Sequence, residues 1–301
     1  MTYFHKSRFS LICQYLCVAF LFAVMPVWAN AVSVTDDQKQ QLKFKHAPQR
    51  IIALSPAITE MLYAIGADKQ IIAAVSHSDY PPPALNLPRV GGYENIDIEK
   101  ILALQPDLII AWLSGNNLRQ LATLQALNIP IFFSEPKTLA DIASTLLRLG
   151  MISGHQQQAQ KLVQSFEQQM TALKKKYATA AQRRVMIQIW DKPLMAIGAD
   201  HVINDLLDLC AGVNIFQQPV TSLSPEPESI LRLQPELIIM TAEVSARAVW
   251  RQYWQQPRWQ TVKAVQNKSI LAINNPDVLV RHSPRILQGA EALCSQINTS
   301  R

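Results

Sequence analysis

The chain has 301 residues, 49% of them hydrophobic and 17% charged, against a charged share of about 25% in ordinary domains, which excludes global disorder. No GxGxxG or GxxxxGK[ST] run exists to cradle a phosphate, and no GxSxG or HExxH run marks a hydrolase. The net charge of +6 is scattered, with Lys174-Lys175-Lys176 as its only tight block, a pattern that argues against a nucleic-acid partner.

Residues 1–31 read as a secretory signal peptide. Lys6 and Arg8 precede an apolar run from Phe9 to Met25, and Pro26-Val-Trp-Ala-Asn-Ala31 offers an Ala-x-Ala cleavage signal. Cleavage would leave a charge of +4 and two cysteines, Cys210 and Cys294. In an oxidising compartment such a pair is either one disulfide closing a long loop or two buried thiols.

After a polar lead-in from Val32 to Gln49, strand-like runs (Arg50–Leu54, Ile71–Ser76, Asp107–Trp112, Ile129–Ser134) alternate with helix-period segments (Ala57–Ile65, Ile98–Leu104, Asn117–Leu127, Leu139–Leu149). This alternation predicts a parallel sheet covered on both faces. From His155 to Lys192 there is no Gly or Pro, and apolar residues from Ala159 to Tyr177 keep helical spacing; one long amphipathic helix of about 25 residues is expected. The alternation then resumes over Arg184–Trp190, Leu206–Cys210, Ile230–Leu233, Leu237–Thr241 and Ile270–Asn274, with a final helix from Pro284 to about Ile297.

Residues 98–110 and 227–239 match at nine of thirteen positions around a shared Leu-Gln-Pro-acid-Leu-Ile-Ile turn. Each copy reads as a helix stopped by Pro106 or Pro235 and then a buried strand. The fold expected is α/β: two Rossmann-like lobes with parallel sheets, over 32–153 and 183–301, joined by a single interlobe helix over 154–182.

Open parallel sheets bind ligands beyond the carboxyl ends of their strands. That rule nominates Ser55 to Ala57, His77 to Tyr80, Gly92, Tyr93 and Trp112 in the first lobe. In the second it nominates Trp190, Asp191, Met195, Ser222, Asn274 to Asp277 and Arg281. An aromatic, amide-rich set suits a large, flat, partly polar ligand. Each nominee also has a structural reading: Trp112 and Trp190 as core, His77 as a turn residue, Arg281 as partner of a carboxylate of its own chain, and Trp250, Trp254 and Trp259 as packing. Glu99 and Glu228 occupy the same place in the two repeats. There each acid either complements a helix dipole or, with its counterpart, forms a two-point dock for a partner's arginines.

Arg50-Ile-Ile-Ala-Leu-Ser-Pro-Ala-Ile-Thr-Glu60, Ser78-Asp-Tyr-Pro-Pro82, the paired Gln-Pro-acid repeats, Cys210-Ala-Gly-Val-Asn-Ile-Phe216 and Ser283-Pro-Arg285 form a recognisable set, within a likeness that runs from about residue 49 to 297. These segments resemble the periplasmic cobalamin-binding members of the helical-backbone (class III) substrate-binding proteins of bacterial ABC importers. The resemblance implies a rigid helix between two lobes, a cleft for the corrinoid, a Cys210–Cys294 bond, and docking of Glu99 and Glu228 onto permease arginines. It also implies cleft roles for Ala57, Trp112, Asp277 and Arg281. His77 and Tyr93 stand where the cobalamin binders have a tyrosine and a tryptophan, Ile189 and Met195 replace aromatics, and Ser222 replaces a clamping tryptophan; Trp190 could restore the aromatic wall.

The expectation is a periplasmic, monomeric receptor that is not an enzyme, binds cobalamin through Ala57, His77, Tyr80, Tyr93, Trp112, Trp190, Met195, Asp277 and Arg281, and delivers it to a permease dimer with its ATPase. No catalytic cofactor or metal is expected. The alternatives are a haem receptor with His77 and Tyr93 as axial ligands, a ferric-siderophore receptor and, from another class, a secreted α/β enzyme.

Overall fold

The computed structural model describes Met1, residues 32–275 and residues 277–299; the signal-peptide reading falls outside these. The lead-in read as merely polar is a hairpin, β1 (Val32–Thr35) with β2 (Gln41–Phe44) antiparallel to it. Both strands alternate polar and apolar residues, and the turn between them binds the sheet that follows: Asp37 N donates to Phe133 O, and Asp36 accepts from Phe133 N.

That first sheet contains β3 (Ile51–Ala53), then after α1 (Pro56–Ala64) β4 (Ile71–Ala74), after α2 (Ile98–Ala103) β5 (Leu108–Trp112), and after α3 (Leu118–Ala126) β6 (Ile131–Ser134). Its order is β4-β3-β5-β6, all parallel. Helix starts follow local chemistry: Ser55, Asp97 and Asn117 accept from amides in the first turns of α1, α2 and α3.

Two helices follow. The first, α4 (Leu139–Ser153), opens with a Thr138–Asp141 capping box and ends at Gly154 with φ 78°. Next, α5 (Gln156–Tyr177) runs 22 residues, about 33 Å, shorter than the span without Gly or Pro suggests. Beyond Tyr177 the chain turns and enters a strand, because Arg183 to Trp190 carry β-branched and apolar residues in alternation rather than at helical spacing.

The second sheet opens with β7 (Arg183–Asp191) and β8 (Leu194–Ile197), followed by α6 (Ile203–Leu209), β9 (Gly212–Asn214), β10 (Ser222–Leu223), α7 (Pro227–Leu233), β11 (Leu237–Met240), α8 (Arg247–Trp254), α9 (Lys263–Gln266), β12 (Ile270–Ala272), α10 (Asp277–Val280) and α11 (Ile286–Thr299). Within it β9-β7-β11-β12 repeats the parallel pattern of the first sheet, while β8 and β10 are antiparallel additions. The second sheet is thus mixed, because β7 outlasts its pairing with β9 and folds back through a tight turn into β8. The Leu206–Cys210 segment is the end of helix α6 and its cap.

The sequence repeat is also a structural one. Gln105 and Gln234, just past α2 and α7, both have φ 46°. Arg50 caps the end of α2 at Leu104 O (2.6 Å), and its amide meets Asp107 (2.9 Å). In the second copy the Arg184 guanidinium meets Leu233 O (3.1 Å) and its amide meets Glu236 (3.1 Å).

One face of each sheet contributes to a shared apolar core: Ile51, Leu108, Ile110 and Phe132 from the first, Val185, Ile187, Leu237 and Ile239 from the second, with α4, α11 and Phe166 of α5. The far face of the second sheet packs on Trp250, Trp254 and Trp259, the packing alternative for those three. Cys210 and Cys294 form a disulfide with Cα atoms 4.6 Å apart, tying the end of α6 to α11.

Candidate functional site

Both sheets turn strand carboxyl ends toward loops that carry the nominated residues, which gather in three groups. The first bridges the two halves of the chain. Glu60, on α1, is 3% exposed at its side chain; a carboxylate so buried costs several kcal/mol unless it is paired. It is paired four times by the segment between α10 and α11: Arg281 Nη1 (3.0 Å), Arg285 Nη2 (2.7 Å) and Nε (3.2 Å), and Ser283 Oγ (2.5 Å). Arg281 also reaches Asp79 (2.6 Å) and Asp277 (2.6 Å), and Arg285 lies 3.7 Å from the ring centroid of Tyr80.

Electrostatics in this group are settled by the arginines. Burial pushes the Asp79 carboxyl up, but the Arg281 guanidinium outweighs it and holds Asp79 below its ordinary value. Burial would likewise lower Arg281, and its bonds to Asp79 and Glu60 hold it above. The loop carrying Asp79 and Tyr80 is braced by Arg89, which donates to Ser78 O (2.9 Å) and Ala84 O (3.0 Å).

The second group is Tyr93 with Trp112, ring centroids 5.7 Å apart. Asn116 joins their loops, its Oδ1 accepting from Trp112 N (2.7 Å) and its Nδ2 donating to Tyr93 O (2.7 Å). A Cβ on Gly115 would lie 1.9 Å from the Trp112 ring, so only glycine permits this close approach. Ala57 is half-buried at the start of α1, and His77 is exposed with φ 63°, a conformation that non-glycine residues adopt at a cost and often at ligand sites.

The third group is Trp190 opposite Met195 on the β7–β8 hairpin. The register slips between Gln188 and Trp190, so Trp190 takes the place across from Met195 that Ile189 would hold in a regular ladder. Such a bulge re-aims a side chain. Trp190 is 56% exposed, against the core reading, and its Nε1 donates to Lys192 O (3.2 Å). Ser222 sits half-buried on β10, paired with Ile197. No hydrogen bond, ion pair or ring contact among the described residues links this group to the other two. The structure therefore joins Tyr80, Asp277 and Arg281 and pairs Tyr93 with Trp112 and Trp190 with Met195; among the described residues His77 makes no ring contact with Tyr93.

Glu60, Ser283 and Arg285 went unassigned in the sequence reading. The available signal was a lone carboxylate inside the otherwise uncharged α1 segment Ala57-Ile-Thr-Glu-Met-Leu62. A second set of contacts joins the halves: Lys137 pairs with Asp200 (2.8 Å), Leu139 N donates to Asp205 (2.7 Å), and His282 meets the Pro136 carbonyl beside His201, their ring centroids 5.1 Å apart. A concavity of about 900 Å³ lined by Arg183, Glu236, Lys263 and Lys268 lies at the opposite, amino ends of β7, β11 and β12. Its buried arginine is already bonded to Ile297 O and Ser269 Oγ. Glu99 and Glu228 are exposed in the first turns of α2 and α7, matching points of the two repeats.

Residues 51–276 match the family described as periplasmic binding protein. A vitamin B12-binding protein of Vibrio cholerae is 38% identical over 255 residues, 83% of this chain and 89% of the relative. One from Photorhabdus laumondii is 35% identical over 253 residues, 84% and 89% of the two chains. Among solved structures, the periplasmic vitamin B12-binding protein of Vibrio cholerae superposes with TM-score 0.75 at 36% identity, covering 84% of this chain and 98% of that one. A periplasmic haem-binding protein of the same organism superposes at 0.71 with 24% identity over 82% and 98% of the two chains, a likeness of fold.

Proposed function

The chain belongs to the periplasmic binding protein family, and from that membership we propose that it captures cobalamin between its two halves in the periplasm and hands it to an inner-membrane ABC permease with its ATPase. It acts as a carrier and not as a catalyst. The first lobe spans 32–153, the connecting helix lies within 154–182, and the second lobe spans 183–301. Ala57, His77, Tyr80, Tyr93 and Trp112 form one wall of the cleft; Trp190, Met195, Asp277 and Arg281 form the other. Relatives named for vitamin B12 at 35–38% identity support this reading.

The observation that carries the ligand choice is the charge around Arg281. Its guanidinium is engaged by Glu60, Asp79 and Asp277, and Arg285 is engaged by Glu60. Three carboxylates against two guanidiniums leave no surplus cation for the propionates of haem or the anionic groups of a siderophore, whereas exposed aromatic faces and hydrogen-bonding groups suit the broad, amide-fringed corrin.

Titration calorimetry with cyanocobalamin and, separately, haemin tests this. Corrinoid affinity that falls on Trp112→Ala and Trp190→Ala is the expected result. A haemin Soret shift lost on Tyr93→Phe or His77→Ala, with no corrinoid affinity, would transfer the assignment to haem.

A further inference from the structure

We propose that Glu60 is a positioning residue of the cleft: a buried carboxylate from the first half of the chain that sets the guanidinium of Arg281, in the second half, in its ligand-facing place before any ligand arrives. The inference rests on the reading that Arg281 lines the ligand cleft, and it assigns the specificity of that site to a residue the ligand does not touch.

Three observations carry it. Both oxygens of Glu60 are saturated by donors 221–225 residues away in sequence, all within the five-residue segment from Arg281 to Arg285. Arg285 grips the carboxylate as a two-pronged fork while its planar face lies against Tyr80, so the same anion also fixes an aromatic ring nominated for ligand contact. The two other partners of Arg281 are much more exposed, Asp79 at 48% and Asp277 at 39% of their side chains, against 3% for Glu60. Water and ligand can compete for those two; Glu60 alone holds Arg281 from a buried anchor.

A long arginine chain tethered only to exposed carboxylates samples many rotamers, and ordering it on binding weakens affinity. Glu60 removes that cost in advance. A charge is needed there because two guanidiniums converge on one buried point. A neutral amide would turn an N–H toward one of them and leave Arg281 to its exposed partners.

The test is a double-mutant cycle on the full chain with cyanocobalamin as probe, using Glu60→Gln, Arg281→Ala and the pair. If Glu60 acts through Arg281, Glu60→Gln weakens binding about tenfold or more alone but less than about twofold in the Arg281→Ala background. Equal losses in both backgrounds, as for a general loosening of the fold, overturn the proposal, as does no loss in the single variant. Should Glu60→Gln not fold, Ser283→Ala, which removes one of the four bonds, carries the same cycle with the same criteria.

If the wild-type chain binds no cyanocobalamin, the proposed function fails, and positioning is then read without ligand. Nitroxide labels at Gln125→Cys and Gln252→Cys, both exposed positions, should report a broader interlobe distance distribution in Glu60→Gln. An unchanged distribution overturns the proposal.

Discussion

The seam between the halves carries two histidines whose protonation the fold disfavours, so stability should fall in mild acid. Burial, with His282 beside it, pushes His201 down to about 3; burial also lowers His282, offset in part by its bond to the Pro136 carbonyl. The charged groups at this seam, Asp200 and Asp205, are already engaged by Lys137 and by the amide of Leu139. Because the folded pKa of His201 lies below the unfolded value of 6.5, the unfolded chain takes up a proton that the folded one refuses. Stability is therefore complete above about pH 6.5 and is lost as the pH falls toward 3. Between pH 8 and pH 5 the loss from His201 alone amounts to about 2 kcal/mol, with a further contribution of the same sign from His282. The perturbation is His201→Asn: His201 Nδ1 accepts from Ile203 N (3.1 Å) at the start of α6, and an asparagine oxygen can keep that cap without titrating. Urea denaturation followed by tryptophan fluorescence at pH 8 and pH 5 should show the variant losing about 2 kcal/mol less than the wild type over this interval. Identical losses in the two proteins would refute the assignment.

Replacing both Cys210 and Cys294 by serine opens a loop of 84 residues and should lower stability by about 4–5 kcal/mol on the chain-entropy account; a thermal melt with unchanged Tm would contradict it. Gly115→Ala drives a methyl into the Trp112 ring and should shift tryptophan emission and weaken corrinoid binding about tenfold while the melting temperature moves by only a few degrees; unaltered calorimetric affinity would remove Trp112 from the cleft. If Glu99 and Glu228 dock onto a partner's arginines, reversing both exposed acids, Glu99→Lys with Glu228→Lys, should leave ligand affinity intact and abolish cellular uptake of labelled cobalamin through charge repulsion; normal uptake would leave the pair with helix-start duty alone.

What could be read from the sequence is what neighbouring residues decide together. Alternating runs announced the strands, and the Gln-Pro-acid repeat foretold two related copies whose Arg50 and Arg184 do the same work; the helix-start residues Ser55, Asp97 and Asn117 were equally local signals. Hydrophobic spacing from Ala159 to Tyr177 announced α5 for the same reason, since a helix answers to residues three and four apart. The hairpin at Val32 to Phe44 was legible in principle, its alternation masked by polar residues on the outer face.

Only the tertiary structure decided the site's inner arrangement. The bulge that brings Trp190 opposite Met195 depends on the register of β8, and the exposure of Trp190 depends on the hairpin standing clear of the core. Glu60 and Arg285 look ordinary in sequence because the forces that give them meaning act across more than two hundred residues. Ion pairing depends on distance in space, and that distance exists only once the two halves have folded against each other. The residues proposed for the cleft were written locally, and their alignment was not.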